Sequence, residues 1–173
     1  SFGRTVDQAA PYLCEPGKPD IIISSDWRRL QKSQPHLSDE DCEYISTGSN
    51  FYRQLLGFDG MLLHASAVVS VAKSVMFMGI SGTGKSTHSR LWMEAFPGTQ
   101  LLNDDNPAVR VMEDGVYAYG TPWSGKTDLN LNVKVPIKGI CFIERGEKNS
   151  IRKIPSAEAI AMILNQTLRP HSA

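Results

Sequence analysis

Two short stretches of the sequence combine glycine, lysine and a hydroxyl residue in the spacing of a phosphate-binding loop. The first, GISGTGKST, covers residues 79–87, and the second, GTPWSGKT, covers residues 120–127. Both match G-x-x-x-x-G-K-[ST], in which backbone N–H groups cradle phosphates, the lysine reaches the β- and γ-phosphates and the hydroxyl ligates Mg²⁺. Such a loop works where a buried strand runs into the N-terminus of a helix, because the helix dipole and unpaired N–H groups then face the anion. The neighbouring residues therefore decide between the two matches.

The first stretch has the required neighbours. The apolar run VMFM, residues 75–78, precedes it, and a helix is predicted from Gly84 to Phe96, before Pro97-Gly98. Glycines permit the backbone conformations and the close approach that a phosphate cradle needs. We predict that this loop binds nucleotide phosphates through Gly79, Ser81, Gly82, Thr83, Gly84, Lys85, Ser86 and Thr87, with the Ser86 hydroxyl also at Mg²⁺.

The second stretch is followed by a different pattern. The residues DLNLNVKVP alternate apolar and polar side chains, as a strand does, and Pro122 removes one backbone donor. We therefore predict that residues 120–127 do not form a nucleotide loop. Two interpretations stay open: a catalytic-site loop in which Lys126 and the Gly125 backbone meet a second anionic group, or a surface turn with a solvated lysine.

Two adjacent aspartates, Asp104 and Asp105, follow the apolar residues of the stretch LLNDDN. Adjacent carboxylates repel each other, so a pair at the end of a buried strand indicates a positive charge or a metal ion between them. The alternative is an Asx-type turn before Asn106-Pro107. Because the pair follows a phosphate loop after one helix, a functional role is favoured.

These motifs carry a resemblance to a known family. GISGTGKST, one helix and then LLNDD resemble the ATP site shared by HPr kinase/phosphorylase and phosphoenolpyruvate carboxykinase, and LLHASAVV resembles the strand that precedes the loop in HPr kinases. The resemblance covers about residues 60–145. The chain is also similar to HPr-kinase-related bacterial proteins. Residues 1–57 do not resemble the N-terminal domain of HPr kinase, and YGTPWSGK stands where that family has a glycine-rich signature.

The resemblance implies an ATP- and Mg²⁺-dependent kinase that phosphorylates a hydroxyl of a protein, such as an HPr-like serine, or of a small molecule. It implies that Asp104 is the base that takes the acceptor's proton and that Asp105, with Ser86, holds Mg²⁺. His64 is expected to orient Asp104, to touch the γ-phosphate, or to be a core histidine. Arg145 and Arg169 are candidate anion contacts. The other functions considered are a regulatory module that binds ATP without transferring it and a carboxykinase-like lyase.

The order of predicted strands and helices indicates an α/β fold with a mixed β-sheet and flanking helices. The resemblance implies that its P-loop is of the HPr kinase/PEP carboxykinase type. An N-terminal segment, 1–57, is expected to pack on a kinase-like domain, 58–173. In the N-terminal part, the predicted elements are a strand over DIIISS and one helix, or two short helices divided at Gly48-Ser49, from a capping box at Ser38 and Asp41 to Gly57. The predicted elements that follow are a strand pair at 61–79 joined at Ala72-Lys73, the strand QLLNDD, a hairpin around Asp114-Gly115, one or two strands in LNVKVPIKGICFIE and a helix over SAEAIAMILNQTL. The predicted core side chains of the helices are Tyr44, Phe51 and Leu55, and Leu91, Trp92, Ala95 and Phe96.

Composition narrows the class of protein. The 173 residues include 18 basic and 18 acidic side chains, so no basic surface for nucleic acid or anionic lipid is indicated. Three cysteines without metal-like spacing predict reduced thiols and a cytoplasmic location. The apolar residues 61–80 are interrupted by polar side chains and predict two strands, not a membrane span. The chain is expected to be a piece of a longer protein, and a homo-oligomer is compatible with the sequence.

Overall fold

The structure is a computed structural model that describes residues 20–127 and 129–168, without the side chain of Lys126. The described chain divides into two compact units, one that ends at Gly60 and one that spans Met61–Leu168. The glycine loop, the acidic pair and His64 belong to the second unit.

Within the described residues, the first unit contains two α-helices, α1 (Trp27–Ser33) and α2 (Asp39–Leu55). The Ser38 side chain accepts a hydrogen bond from the Asp41 N–H at 3.1 Å, which confirms the predicted N-cap. Helix α2 is continuous, and Phe51 and Leu55 are buried as predicted. The prediction for Tyr44 is wrong, because its side chain is 39 % exposed.

The strand predicted over DIIISS is also wrong. Residues 20–25, which carry this stretch, form no strand. Instead, the Gln54 side chain of α2 donates to the Ile22 carbonyl at 2.9 Å, and the Asn50 side chain donates to the Ser24 carbonyl. Helix side chains therefore satisfy carbonyl groups that a partner strand would otherwise take.

The second unit is built on a mixed sheet, which confirms the predicted α/β class with flanking helices. Within the described residues the sheet has seven strands, in the order β1-β5-β6-β7-β3-β2-β4. Strand β3 is parallel to β7, and the β2–β3, β2–β4, β5–β6 and β6–β7 pairs are antiparallel. The strands are β1 (Gly60–Leu62), β2 (Ala65–Ser70), β3 (Lys73–Met78), β4 (Gln100–Asn103), β5 (Ala108–Met112), β6 (Gly115–Tyr119) and β7 (Lys134–Phe142).

Two helices accompany this sheet, α3 (Lys85–Ala95) and α4 (Ser156–Gln166), and both agree with the sequence prediction. The sheet core includes Met76, Met78 and Leu102, and Ile163 of α4 packs against it. The hairpins at residues 65–78 and 108–119 also form as predicted.

The predicted apolar face of α3 is wrong in part. Leu91 and Phe96 are about half exposed, whereas the buried residues of α3 are Lys85 and Ser89. Trp92 is half-buried and packs edge-on against Phe77 of β3, with 5.6 Å between ring centroids. Positions 85, 89 and 92 share one face of a helix, so the buried stripe is largely polar and hydrophobic periodicity does not reveal it.

Strand register brings four chain segments to one edge of the sheet. Ala65 pairs with Met78, and Ala67 pairs with Asn103, so the start of β2 lies beside the ends of β3 and β4. The parallel partner of Met78 is Phe142, the last residue of β7. The residues just beyond these strand ends therefore meet at the same edge.

Candidate active site

The loop between β3 and α3 needs glycine at its first position. Gly79 has a φ of 152°, and a Cβ there would lie 2.8 Å from both the Ile143 carbonyl oxygen and the Thr83 hydroxyl. Gly82 and Gly84 also have positive φ values. The Arg145 side chain donates to the Gly82 carbonyl at 3.0 Å, so the segment after β7 braces the loop.

The N-terminus of α3 provides backbone donors at the end of this loop. Gly84 is the N-cap and supplies no capping side chain, and the His88 N–H donates to the Gly84 carbonyl at 2.9 Å. The N–H groups of Lys85, Ser86 and Thr87 precede that bond and have no partner within the helix. Together with the positive end of the helix dipole, they suit a bound anion.

Lys85 is buried against the loop, with 8 % of its surface exposed. Its Nζ donates to the Gly79 carbonyl at 3.0 Å and to the Ile80 carbonyl at 3.4 Å. Burial lowers the pKa of Lys85, and the nearby Asp105 and Asp104 carboxylates oppose that shift. The ammonium group therefore bonds the loop carbonyls and also interacts with the charges of the acidic pair.

Asp104 is held by hydroxyl groups. Ser66 Oγ donates to Asp104 Oδ1 at 2.6 Å, and Ser66 Oγ lies 2.6 Å from Ser89 Oγ. A hydroxyl has one proton, so when Ser66 donates to Asp104 the Ser89 hydroxyl must donate to Ser66. Both serines are fully buried. Thr127 Oγ1 lies 3.5 Å from Asp104 Oδ2 and 3.4 Å from the Ser124 carbonyl oxygen, and its one proton can be donated to either acceptor.

Asp105 has different partners. Its Oδ1 lies 3.5 Å from His64 Nε2, and its Oδ2 accepts from the Asn106 side chain at 2.8 Å. Burial raises the pKa of Asp105, whereas His64, Asn106 and Lys85 lower it.

His64 contacts Asp105, and the expectation that it orients Asp104 does not match this geometry. Burial and the Lys85 charge lower the pKa of His64 below its ordinary value of 6.5. The imidazole is therefore neutral at neutral pH, and its contact with Asp105 is not a full ion pair.

The turn that carries the two aspartates is organised by Asn103. Its Oδ1 accepts from the Asp105 N–H at 2.9 Å and from the Asn106 N–H at 2.8 Å. Its side-chain nitrogen donates to the Thr121 carbonyl at 2.9 Å. An Asx-type turn is thus present, but Asn103 forms it, so both aspartate side chains can take other partners.

The second glycine–lysine stretch contacts the acidic pair. A 3₁₀ turn, Gly125–Thr127, occupies the position where a nucleotide loop would enter a helix, and β7 begins only at Lys134. A Cβ on Gly125 would lie 3.0 Å from the Asp105 Cβ. The turn therefore packs against the acidic pair, and both interpretations of residues 120–127 stay predictions.

Gly120, the first letter of that second match, is needed for packing. A Cβ there would lie 2.7 Å from the Leu102 carbonyl oxygen and still closer to that of Leu131. The strand predicted after the stretch forms only from Lys134 onward. The side chain of Lys126 and the whole of Arg169 lie outside the described residues, so their predicted roles stay predictions.

The site residues that sequence reasoning missed are Ser66, Ser89, Asn103 and Thr127. Ser66 is part of the quoted stretch LLHASAVV, but its hydrogen bond to Asp104 spans 38 positions and follows only from strand register. Among the described residues, no group of three or more His, Cys, Asp or Glu side chains could hold a metal ion. None of the described helices is long and apolar enough to cross a membrane.

A scan against protein-family models and a search of curated proteins found no match to this chain. The resemblance to HPr kinase therefore stays a prediction that rests on the motifs.

Proposed function

We propose that the protein is an ATP- and Mg²⁺-dependent phosphotransferase of the HPr kinase type, which transfers a γ-phosphoryl group to a hydroxyl of a protein or small molecule. The observation that carries the proposal is the meeting, at one edge of the sheet, of the glycine loop, Lys85 and the Asp104–Asp105 pair. Phosphoryl transfer requires charge neutralisation, positioning of the phosphates and a carboxylate near the nucleophile. This edge supplies a candidate group for each requirement.

The donor atoms fit Mg²⁺ bound together with a nucleotide. Mg²⁺ prefers oxygen ligands and is usually held by one or two carboxylates together with substrate phosphates. Ser86, in the first turn of α3, and the half-buried Asp105 would hold the ion. When bound, the ion would neutralise charge on the β- and γ-phosphates, and Lys85 would add a charge-assisted contact.

Asp104 would act as the base. One of its oxygens accepts from Ser66, and an ionised carboxylate keeps further lone pairs for the proton of an acceptor hydroxyl. The Ser89–Ser66 hydrogen bonds would hold this carboxylate in one orientation. The loop 120–127 borders the pair through Gly125 and Thr127, so the acceptor would approach from the side of that loop.

The experiment is labelling of a cell lysate with γ-labelled ATP and the purified protein, followed by mass spectrometry. We expect the label on an acceptor hydroxyl with the parent protein and its loss with Asp104→Asn. Asp114→Asn, which changes an exposed carboxylate in the β5–β6 turn, is the matched control and should label like the parent. Mg²⁺-ATP binding without labelling or ATP hydrolysis would instead favour the regulatory module.

A further inference from the structure

A cleft of about 510 Å³ opens beside the glycine loop, on α4 and the end of β7. Loop residues 79–83 form one wall, and residues 142–145 form a second. Helix α4 contributes Met162, Asn165 and Gln166. All of these residues belong to the second compact unit.

The cleft has the composition of a small-molecule site. Its apolar side chains are Ile80, Phe142 and Met162, and the amides of Asn165 and Gln166 add donors and acceptors. Ligand pockets typically have volumes of roughly 300–1,000 Å³ and combine apolar walls with a few polar groups. A flat aromatic ring with a polar edge matches both features.

The position of the cleft indicates which ligand brings such a ring. The cleft borders the loop that leads to the N-terminus of α3, where phosphates would bind. The Arg145 side chain fixes the loop wall through its bond to the Gly82 carbonyl. The end of α4 is tied to the site, because the His64 N–H donates to the Gln166 carbonyl at 2.8 Å. One molecule with phosphates and an aromatic base could therefore bind both places.

We infer that this cleft binds the nucleoside part of the nucleotide whose phosphates bind the glycine loop. The base packs against Phe142 and Met162, and the amides of Asn165 and Gln166 bond its polar edge. This inference rests on the proposed nucleotide-dependent function and adds the site at which the base is recognised. It has a direct consequence: the protein must bind ATP more tightly than inorganic tripolyphosphate, which carries the phosphates without a nucleoside.

Calorimetry with the full chain tests this, using Mg²⁺-ATP and Mg²⁺-tripolyphosphate as the two probes. We expect ATP to bind at least about tenfold more tightly, since stacking on a protein side chain is worth roughly 5- to 150-fold for one base. Met162→Ala and Asn165→Ala should each weaken ATP binding by about fivefold or more and leave tripolyphosphate binding unchanged. Ile160→Ala is the control, because this α4 residue is 59 % exposed and does not line the cleft. Phe142→Leu, which removes the ring but keeps an apolar side chain against the core, should act like Met162→Ala.

The outcomes separate the cleft from the proposed function. The nucleoside assignment is overturned if ATP and tripolyphosphate bind equally, or if the cleft variants weaken the binding of both probes alike. In either case, loss of the binding of both probes in Lys85→Ala would still support the phosphate loop. If neither probe binds the parent protein, the nucleotide-dependent function is overturned and the cleft assignment with it.

Discussion

Replacing Asp104 by asparagine separates an enzyme from a nucleotide-binding module. The change keeps the shape of the side chain and an oxygen that can accept from Ser66 Oγ, which lies 2.6 Å from Asp104 Oδ1 in the parent. It removes the negative charge and nearly all basicity. If Asp104 is the base, Mg²⁺-ATP should bind as well as to the parent, or better where the lost charge repelled the γ-phosphate. Phosphoryl transfer should fall by roughly 10²–10⁴, the usual contribution of a positioned base.

The serine contacts allow a graded version of this test. Ser66→Ala removes one hydrogen bond to a charged group, worth about 1.5–3 kcal/mol. If part of that energy orients Asp104 in the transition state, transfer should fall by about tenfold, since about 1.4 kcal/mol corresponds to one factor of ten. Ser89→Ala removes the next hydroxyl and should have a smaller effect on the turnover number. Neither change should alter the affinity for Mg²⁺-ATP.

The assay is ATP hydrolysis, in which water replaces the acceptor hydroxyl, with ATP binding measured in parallel by calorimetry. Asp105→Asn is the paired variant, and it should weaken the Mg²⁺-dependent part of ATP binding because a neutral amide is a poorer ligand than a carboxylate. Full activity in Asp104→Asn would refute its role as the base. Equal loss of ATP binding in both variants would mean that the pair acts together on the metal ion, so that another residue must be the base.

Three further predictions concern the two loops and the acidic pair. Lys85→Ala should weaken Mg²⁺-ATP binding at least about tenfold, because it removes a charge-assisted phosphate contact, whereas Lys126→Ala should leave the affinity nearly unchanged. The parent protein should bind one ATP per chain. Calorimetry that shows the reverse order of the two variants, or two ATP sites, would contradict the choice of loop. Gly120→Ala should destabilise the fold by on the order of 1–3 kcal/mol or more, because the new methyl group meets two backbone carbonyls. Gly139→Ala is the control, since no atom lies within 4 Å of its added Cβ, and it should not destabilise the fold. Denaturant unfolding compares the two variants, and equal stability would contradict the packing role of Gly120. Burial raises the pKa of Asp105 above its ordinary value of 3.8, so the folded chain binds this proton more tightly than the unfolded chain, and Asp105→Asn should raise the melting temperature of the metal- and nucleotide-free protein at neutral pH. That gain should shrink as the pH falls through the raised pKa, where the parent carboxyl is protonated, and scanning calorimetry that finds the same gain at low pH would refute the argument.

The elements that the sequence predicted well are those that local patterns determine. An apolar run, a glycine loop and a helix start within 20 residues were enough to predict β3, the loop and α3. The prediction of a strand over DIIISS was wrong because an apolar run becomes a strand only where a partner strand is available. Here, side chains of α2 donate hydrogen bonds to carbonyl groups of this stretch instead. The prediction of the buried face of α3 was wrong because Lys85 and Ser89, which face the site, occupy positions where a purely structural helix would have apolar residues.

The composition of the site was predictable, but its contacts were not. Lys85, Asp104 and Asp105 could be chosen from motif letters, since phosphate chemistry needs these residue types. Their partners come from strands that are distant in the chain, so they depend on register. His64 pairs with Asp105 and not with Asp104 because of the side-chain geometry at the strand ends, which the spacing of a motif does not reveal.

The two glycine–lysine stretches show how the same letters can answer different physical needs. In residues 79–87, glycines let the backbone turn tightly beside Ile143 and leave the N–H groups of α3 for an anion. In residues 120–127, Gly120 gives room to two carbonyl groups, and Gly125 lets the chain approach Asp105. Thr121 accepts from Asn103 and so connects this stretch to the turn that carries the aspartates. Under the proposed function, the first loop holds the donor phosphates, and the second shapes the side from which an acceptor hydroxyl reaches Asp104.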